Sequence, residues 1–369
     1  MIKLGHIDGK GVIIRDGHDN FFTPLRLVFA LLVVIGHAFA ISYGNAEHEP
    51  TILFQYSFSY LAVNLFFITS GFLVTGSMLH RGDQPGFIAA RILRIYPALI
   101  VHILFILLVI GPLVTRIPLS DYFSSFTVWA APFKVLTFFD TDLILPGVFE
   151  ANGEPHASAP LWTLRYEMLC YIGTALCFSL GFMRRRWMLL AQFIGPSLLW
   201  IVAQSLGWFD PLPASAENLC RFMIAYGLGA TIFAYRDRIR FTLPMILPLA
   251  VTLVLFRDTA VLEVAMNGLL AVIVMWLAYA RLPKLNRLKS LSDISYGIYI
   301  YHWVVMQTII HFIPGLGVAE LFALGLGPTI LLAWLSWTFV EKPMLRHKDR
   351  FGAWLRRSRP IPPKPILAD

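Results

Sequence analysis

Ten runs of largely apolar residues, each about twenty long, divide this chain, and charge is confined almost wholly to the stretches between them. A run of that length crosses the roughly 30 Å hydrocarbon core of a bilayer as a helix, which pairs its own backbone groups where no water is present to do so. The runs fall at 24–42, 58–79, 92–113, 160–182, 187–206, 219–235, 241–257, 260–280, 293–312 and 318–340. With 57% hydrophobic and 14% charged residues, a chain of 369 is too apolar for a soluble enzyme. The fold expected is therefore all-α, a polytopic membrane helix bundle of about ten transmembrane helices. Residues 119–139, with Trp129, Pro132 and Lys134 among apolar neighbours, read instead as short interfacial or re-entrant helices.

Basic residues test this count independently, because short cytoplasmic loops collect Lys and Arg. With the N-terminus inside, twenty-three fall on inner segments, from Lys3, Lys10 and Arg15 through Arg281 to the eight that begin at Lys342; only Arg116, Lys134 and Arg257 fall outside. That imbalance predicts an even number of spans and both termini in the cytoplasm. The chain divides on this basis into an N-terminal cytoplasmic segment (1–20), a membrane core (21–345) and a basic, Pro-rich cytoplasmic tail (346–369), in which Pro360 to Pro365 suggest an extended end. The net charge of +8 follows from topology and contact with anionic lipid, so nucleic acid is not needed to explain it. Cys170, Cys177 and Cys220 show no paired or metal-binding spacing and read as core residues. The segment 114–159 is the one sizeable outer element, the natural place for acceptor selectivity.

Ionisable residues inside spans are costly and mark candidate sites. Arg26 and His37 are eleven residues apart, which returns a helix to within about 20° of the same face and separates the pair by roughly 16 Å along it. His37 would lie roughly 20 Å above the cytoplasmic surface, and Glu167, descending from the other side, roughly 10 Å below the outer one. The two are level, so the carboxylate is placed to orient the imidazole as a general base; a structural hydrogen bond between helices is the alternative. Ser295, Tyr299 and His302 form an i, i+4, i+7 polar stripe expected to face a cavity, or else to bond neighbouring helices. Ser70, beside Gly71, offers a small hydroxyl in the second span. At the inner end, Arg91 and Arg94 make an i, i+3 fork suited to phosphates, with Arg26 at similar depth.

These residues together resemble the acyltransferase-3 family of integral membrane O-acyltransferases. The resemblance is carried in order by Arg26-x10-His37, Leu65-Phe-Phe-Ile-Thr-Ser-Gly-Phe72, Arg91-Ile-Leu-Arg94 with Tyr96-Pro97, Leu161-Trp162-Thr-Leu-Arg-Tyr-Glu167, Ile294-Ser-Tyr-Gly-Ile-Tyr-Ile-Tyr-His-Trp303 and Phe339-Val-Glu-Lys-Pro343. It implies a ten-span core in a bacterial-type cytoplasmic membrane that takes acyl-CoA, acetyl-CoA first, from the cytosol and esterifies a saccharide hydroxyl on a surface polysaccharide or its lipid-linked precursor. His37 matches the family's catalytic His, and Arg26, Arg91 and Arg94 its basic residues near the coenzyme. Trp162, Ser70, Ser295, Tyr299 and His302 are candidates for substrate contact or support. No metal is implied, and the residues say nothing of oligomeric state. One departure is Asn64, where many members carry an acid. A transporter for a lipid-linked sugar or a proton-coupled substrate is the rival reading, since such proteins also bury His and Glu, but repeated halves are not seen here.

Overall fold

The computed structural model describes residues 12–13, 20–280 and 282–356. Lys3, Lys10, Arg15 and Arg281, most of the 1–20 segment, and the tail from 357 with Pro360 to Pro365 lie outside the described residues.

Among the described residues the chain is almost entirely helical. The helices are α1 (Phe22–Tyr43), α2 (Phe58–Arg81), α3 (Gln84–Val114), α4 (Leu119–Ser124), α5 (Phe126–Leu136), α6 (Trp162–Ser179), α7 (Arg186–Ser205), α8 (Ala214–Ala234), α9 (Ile246–Leu255), α10 (Val261–Tyr279), α11 (Ser295–Phe312), α12 (Val318–Leu345) and α13 (Lys348–Arg356). Six of them, α1, α2, α3, α7, α10 and α12, are long and apolar enough to cross a membrane. Helices α6, α8 and α11 run where spans were expected, but Arg165 and Glu167, Glu217 and Arg221, and a row of tyrosines and histidines make them more polar. The span expected at 241–257 is the ten-residue α9, which rises only about 15 Å, half of a hydrocarbon core. Two antiparallel strand pairs, β1 (Val12–Ile13) with β4 (Arg240–Phe241) and β2 (Thr51–Leu53) with β3 (Tyr56–Ser57), were not anticipated.

The boundaries follow local chemistry. Gly44 and Gly82 end α1 and α2 in the left-handed region, at φ 68° and 60°. The Ser57 hydroxyl accepts from Tyr60 N at 3.4 Å and the Glu49 carboxylate from Ser59 N at 2.7 Å, so the free N–H groups and positive end of α2 meet oxygen and negative charge. Helix α3 begins at residue 84, eight residues before the expected start, so Arg91 and Arg94 sit inside the helix rather than at its mouth. Two π-turns, Ile106–Ile110 in α3 and Trp337–Glu341 in α12, each precede a proline, Pro112 and Pro343. A proline lacks an N–H and clashes with the carbonyl four residues back, here Leu108 and Phe339; the wider turn relieves both problems.

Helices α2 and α8 run in parallel at close range. A side chain on Gly71 would strike the Tyr226 carbonyl, and one on Gly229 the Ile68 carbonyl, so glycine permits the contact. Phe67 stacks on Phe222 above it, centroids 4.1 Å apart. Helix α11 packs between α1 and α12. At the end of the chain α13 lies along the start of α3, held by Arg81 with Asp349 at 3.6 Å and by Arg356 with Asp83. Residues 348–356 are thus a docked helix, not part of an extended end.

Candidate active site

Four helices bring the expected residues together. Arg26, Ser70, Glu167, Ser295 and Tyr299 line one cavity of about 50 Å³ between α1, α2, α6 and α11, with Thr163 and Tyr296 beside them. That volume holds a few water molecules. The stripe expected on α11 therefore does face a cavity at Ser295 and Tyr299, while its third member, His302, continues upward to a different partner.

That partner is His37. Its Nδ1 lies 2.7 Å from His302 Nε2, with the rings 5.0 Å apart and nearly parallel. His302 Nδ1 lies 3.0 Å from the Ile298 carbonyl, which can only accept, so this nitrogen carries a proton. With both rings neutral, His302 Nε2 is then the bare nitrogen and accepts from His37 Nδ1–H. The proton order leaves His37 Nε2 unprotonated. His302 is fully buried, whereas His37 keeps part of its surface open. Trp303 closes the side of the pair, its ring edge-on to His37 at 5.0 Å, and its indole N–H donates to the His156 carbonyl at 2.8 Å. Asn152 and Gln307 add a 2.6 Å bond, so the segment 114–159 is fastened to α11 at Trp303 and again one turn further on.

The sequence reading gave Glu167 the task of orienting His37; in the structure its carboxylate accepts from the Tyr171 hydroxyl, one turn along α6, and His302 has taken the place beside His37. The reason is depth: Glu167 lies beside Arg26, Ser295 and Tyr296, whereas His37 meets His302, seven residues or roughly 10 Å further along α11. Tyr171 in turn carries the Arg91 guanidinium over its ring at 5.5 Å. Arg91 Nε has no hydrogen-bond partner, so Arg91, Tyr171 and Glu167 form a line leading to the cavity.

Arg94 differs from the expectation more sharply. Its two terminal nitrogens donate to Asp293 at 2.8 Å and to the fully buried Glu341 at 3.1 Å, and Glu341 also accepts from Ser336 at 3.2 Å. Arg26 is held more loosely, 3.4 Å from the Ser295 hydroxyl and 3.6 Å from Asp293. Arg91 and Arg94 do not make a fork: one stacks on tyrosine and the other is engaged by carboxylates. Glu341 was part of a motif and Asp293 opens an apolar run, yet no role was attached to either; each is an acid at the end of such a run, facing a guanidinium that needs a counter-charge. Trp162 does not line the cavity but packs edge-on to Tyr166 and against Phe222. Thr163, which sequence reasoning missed, shares a 2.6 Å bond with the Tyr299 hydroxyl. Arg165 donates to the Phe138 and Phe139 carbonyls and anchors the outer segment. At Asn64 a carboxylate is supplied from across the bundle, since its amide donates to Glu263 at 2.9 Å.

The comparison with known families identifies the class of this bundle: the acyltransferase domain model matches residues 20–338. The chain belongs to the acyltransferase-3 family. It is similar to nodulation protein 10 of Rhizobium leguminosarum bv. viciae, 30% identical over 362 residues that cover 92% of this chain and 96% of that protein. It is also similar to an O-acetyl transferase of Shigella phage Sf6, 27% identical over 346 residues, 90% of this chain and 97% of the other. No solved structure matches it. Family membership sets the transporter reading aside.

Proposed function

We propose that this chain is an O-acyltransferase of a bacterial-type cytoplasmic membrane, moving an acyl group, acetyl in the first instance, from acyl-CoA to a hydroxyl of a surface polysaccharide or its lipid-linked precursor. The observation that carries the reading is the proton order of the His37–His302 pair, which leaves one nitrogen of the partly exposed His37 ring bare. His37 Nε2 takes the hydroxyl proton as the sugar oxygen attacks the thioester carbonyl. The C–O bond forms, the C–S bond breaks, and the proton passes to the leaving sulfur as the coenzyme departs. The imidazolium formed in between is stabilised through its other nitrogen by His302. Such assistance is worth about 10²–10⁴-fold, and holding donor and acceptor together contributes more. Thr163 and Tyr299, whose hydroxyls meet one turn along α11 from His302, are assigned as donors to the carbonyl oxygen as it gains charge.

The donor's phosphates are assigned to Arg26 and Arg91. Arg26 has only long contacts to give up, and Arg91 has an unpartnered Nε. Arg94 acts through Asp293, which it holds beside Arg26. The phage relative's description as an O-acetyl transferase supports oxygen as the acceptor atom and acetyl as the group. The ten-span count with both termini in the cytoplasm belongs to the same reading and places donor and acceptor on opposite sides.

The test is transfer from radiolabelled acetyl-CoA by the protein reconstituted in vesicles with surface polysaccharide from the producing cells. Wild type should release free coenzyme and label the saccharide; His37→Ala should insert normally and do neither. Undiminished transfer by that variant removes His37 from the chemistry.

A further inference from the structure

A second cavity, at the end of the bundle away from Arg94 and Glu341, plays no part in the chemistry above. It encloses about 920 Å³ between the start of α2, the end of α7, the start of α8 and the turn before α10. That is within the size range of small-molecule sites.

Its walls combine flat apolar faces with fixed polar groups. The Trp200 indole is pinned by a 3.1 Å bond from its N–H to the Ala260 carbonyl, and Tyr56 and Tyr60 lie with ring centroids 4.8 Å apart. Glu217 accepts from Gln204 at 2.6 Å through one oxygen, which leaves the other for a ligand. Glu263, only 2% exposed, accepts from Tyr60 at 2.8 Å and from Asn64 and Asn267 at 2.9 and 2.8 Å, so neutral donors orient it. Behind Tyr60 the buried Arg221 has an Nε without a hydrogen-bond partner, as do the Asn64 and Asn267 amide oxygens. Buried groups left unpaired in this way are rare, and here they lie directly behind two residues of the wall, Tyr60 and Glu263.

The chemistry selects among ligands. An anion would meet Glu217 and Glu263, and Arg257, the cation of the wall, is already engaged by Asp258 at 3.1 Å. A cation seeking the aromatic faces would find Arg221 already over Tyr60, 3.9 Å from its centroid. A lipid tail would leave the carboxylates unsatisfied. A sugar ring satisfies all of them, because its hydroxyls both donate and accept while its C–H faces lie against aromatic rings. The location agrees: Tyr60 lines this cavity and Val63, one turn or about 5 Å further along α2, lines the one beside Arg26 and Tyr299.

We propose that this cavity is a saccharide-docking subsite, holding sugar residues adjacent to the one acylated at His37. The assignment of the bound sugar as acceptor rests on the O-acyltransferase reading, but binding itself does not. The test is equilibrium binding of a tritiated repeat-unit oligosaccharide, released from the surface polysaccharide of the producing cells, to the full-length protein in nanodiscs without any acyl donor. Saturable binding should weaken tenfold or more in Trp200→Ala, in Glu217→Gln and in Gln204→Ala, the last at a half-buried helix end where folding is least at risk. In the transfer assay the same variants should raise the Michaelis constant for the oligosaccharide with that for the donor unmoved. Undetectable binding, binding untouched in variants that melt like wild type, or displacement by tetramethylammonium overturns the subsite. Weakened binding in the variants with no acyl transfer by wild type would instead uphold the subsite and overturn the catalytic reading.

Discussion

Replacing His302 with leucine removes the acceptor of the 2.7 Å bond from His37 Nδ1 while keeping an apolar side chain in a fully buried position. Two things change at His37. Its proton is no longer held on Nδ1, and the imidazolium that forms during transfer loses its stabilising partner. A hydrogen bond to a charged group contributes about 1.5–3 kcal/mol, and each 1.36 kcal/mol is tenfold in rate, so kcat should fall roughly 10- to 150-fold. Both Michaelis constants should stay near wild type, because the bond strengthens only as charge develops. His302→Gln should recover much of the loss, since its side-chain oxygen reaches the same place and accepts. The assay is coenzyme release by reconstituted protein at saturating donor and acceptor, with thermal unfolding to confirm that each variant folds. The sharpest result comes from the double variant. If His302 acts only through His37, then His37→Ala with His302→Leu should be no slower than His37→Ala alone. A further multiplicative loss would show that His302 touches substrate itself, and wild-type turnover in His302→Leu would refute the proton order altogether.

Arg26→Ala should raise the apparent Michaelis constant for acyl-CoA with little change for the saccharide, and initial-rate kinetics showing an effect confined to the saccharide would contradict its role. Glu341→Ala strips a buried guanidinium of one of its two carboxylates and should destabilise the protein by about 3–5 kcal/mol, read as a lower midpoint in detergent unfolding; an unchanged midpoint would mean that water already serves Arg94 there. A cysteine placed at Thr127 in a background lacking Cys170, Cys177 and Cys220 should react with a membrane-impermeant maleimide from outside the cell, and one at Lys348 only after lysis. The opposite pattern would invert the proposed topology.

Most of the residues that meet in the candidate site were legible in the chain before its fold. Apolar runs and charge asymmetry indicate a helical membrane protein because hydrocarbon imposes length and polarity on each segment separately. The eleven-residue interval sets Arg26 and His37 on one helix face, and the stripe on α11 puts Ser295 and Tyr299 on a cavity wall, because helical periodicity is a local property. Depth was legible only in part: Arg26 and His37 keep their helical interval, but Glu167 sits beside Arg26 and Ser295 rather than level with His37. Which neighbour a side chain meets depends on how helices far apart in sequence shift and rotate against one another: His302 of α11 meets His37 of α1, and Glu341, the last residue of a π-turn in α12, meets Arg94 of α3. For that reason Glu167 is paired with Tyr171 rather than His37, and Arg94 with two acids rather than held free. The sequence by itself determined the solvent, the secondary structure and the residues worth examining. The partner of each buried polar group was decided only in three dimensions, because hydrogen bonds and ion pairs form at contact distance, between helices whose packing no local pattern records.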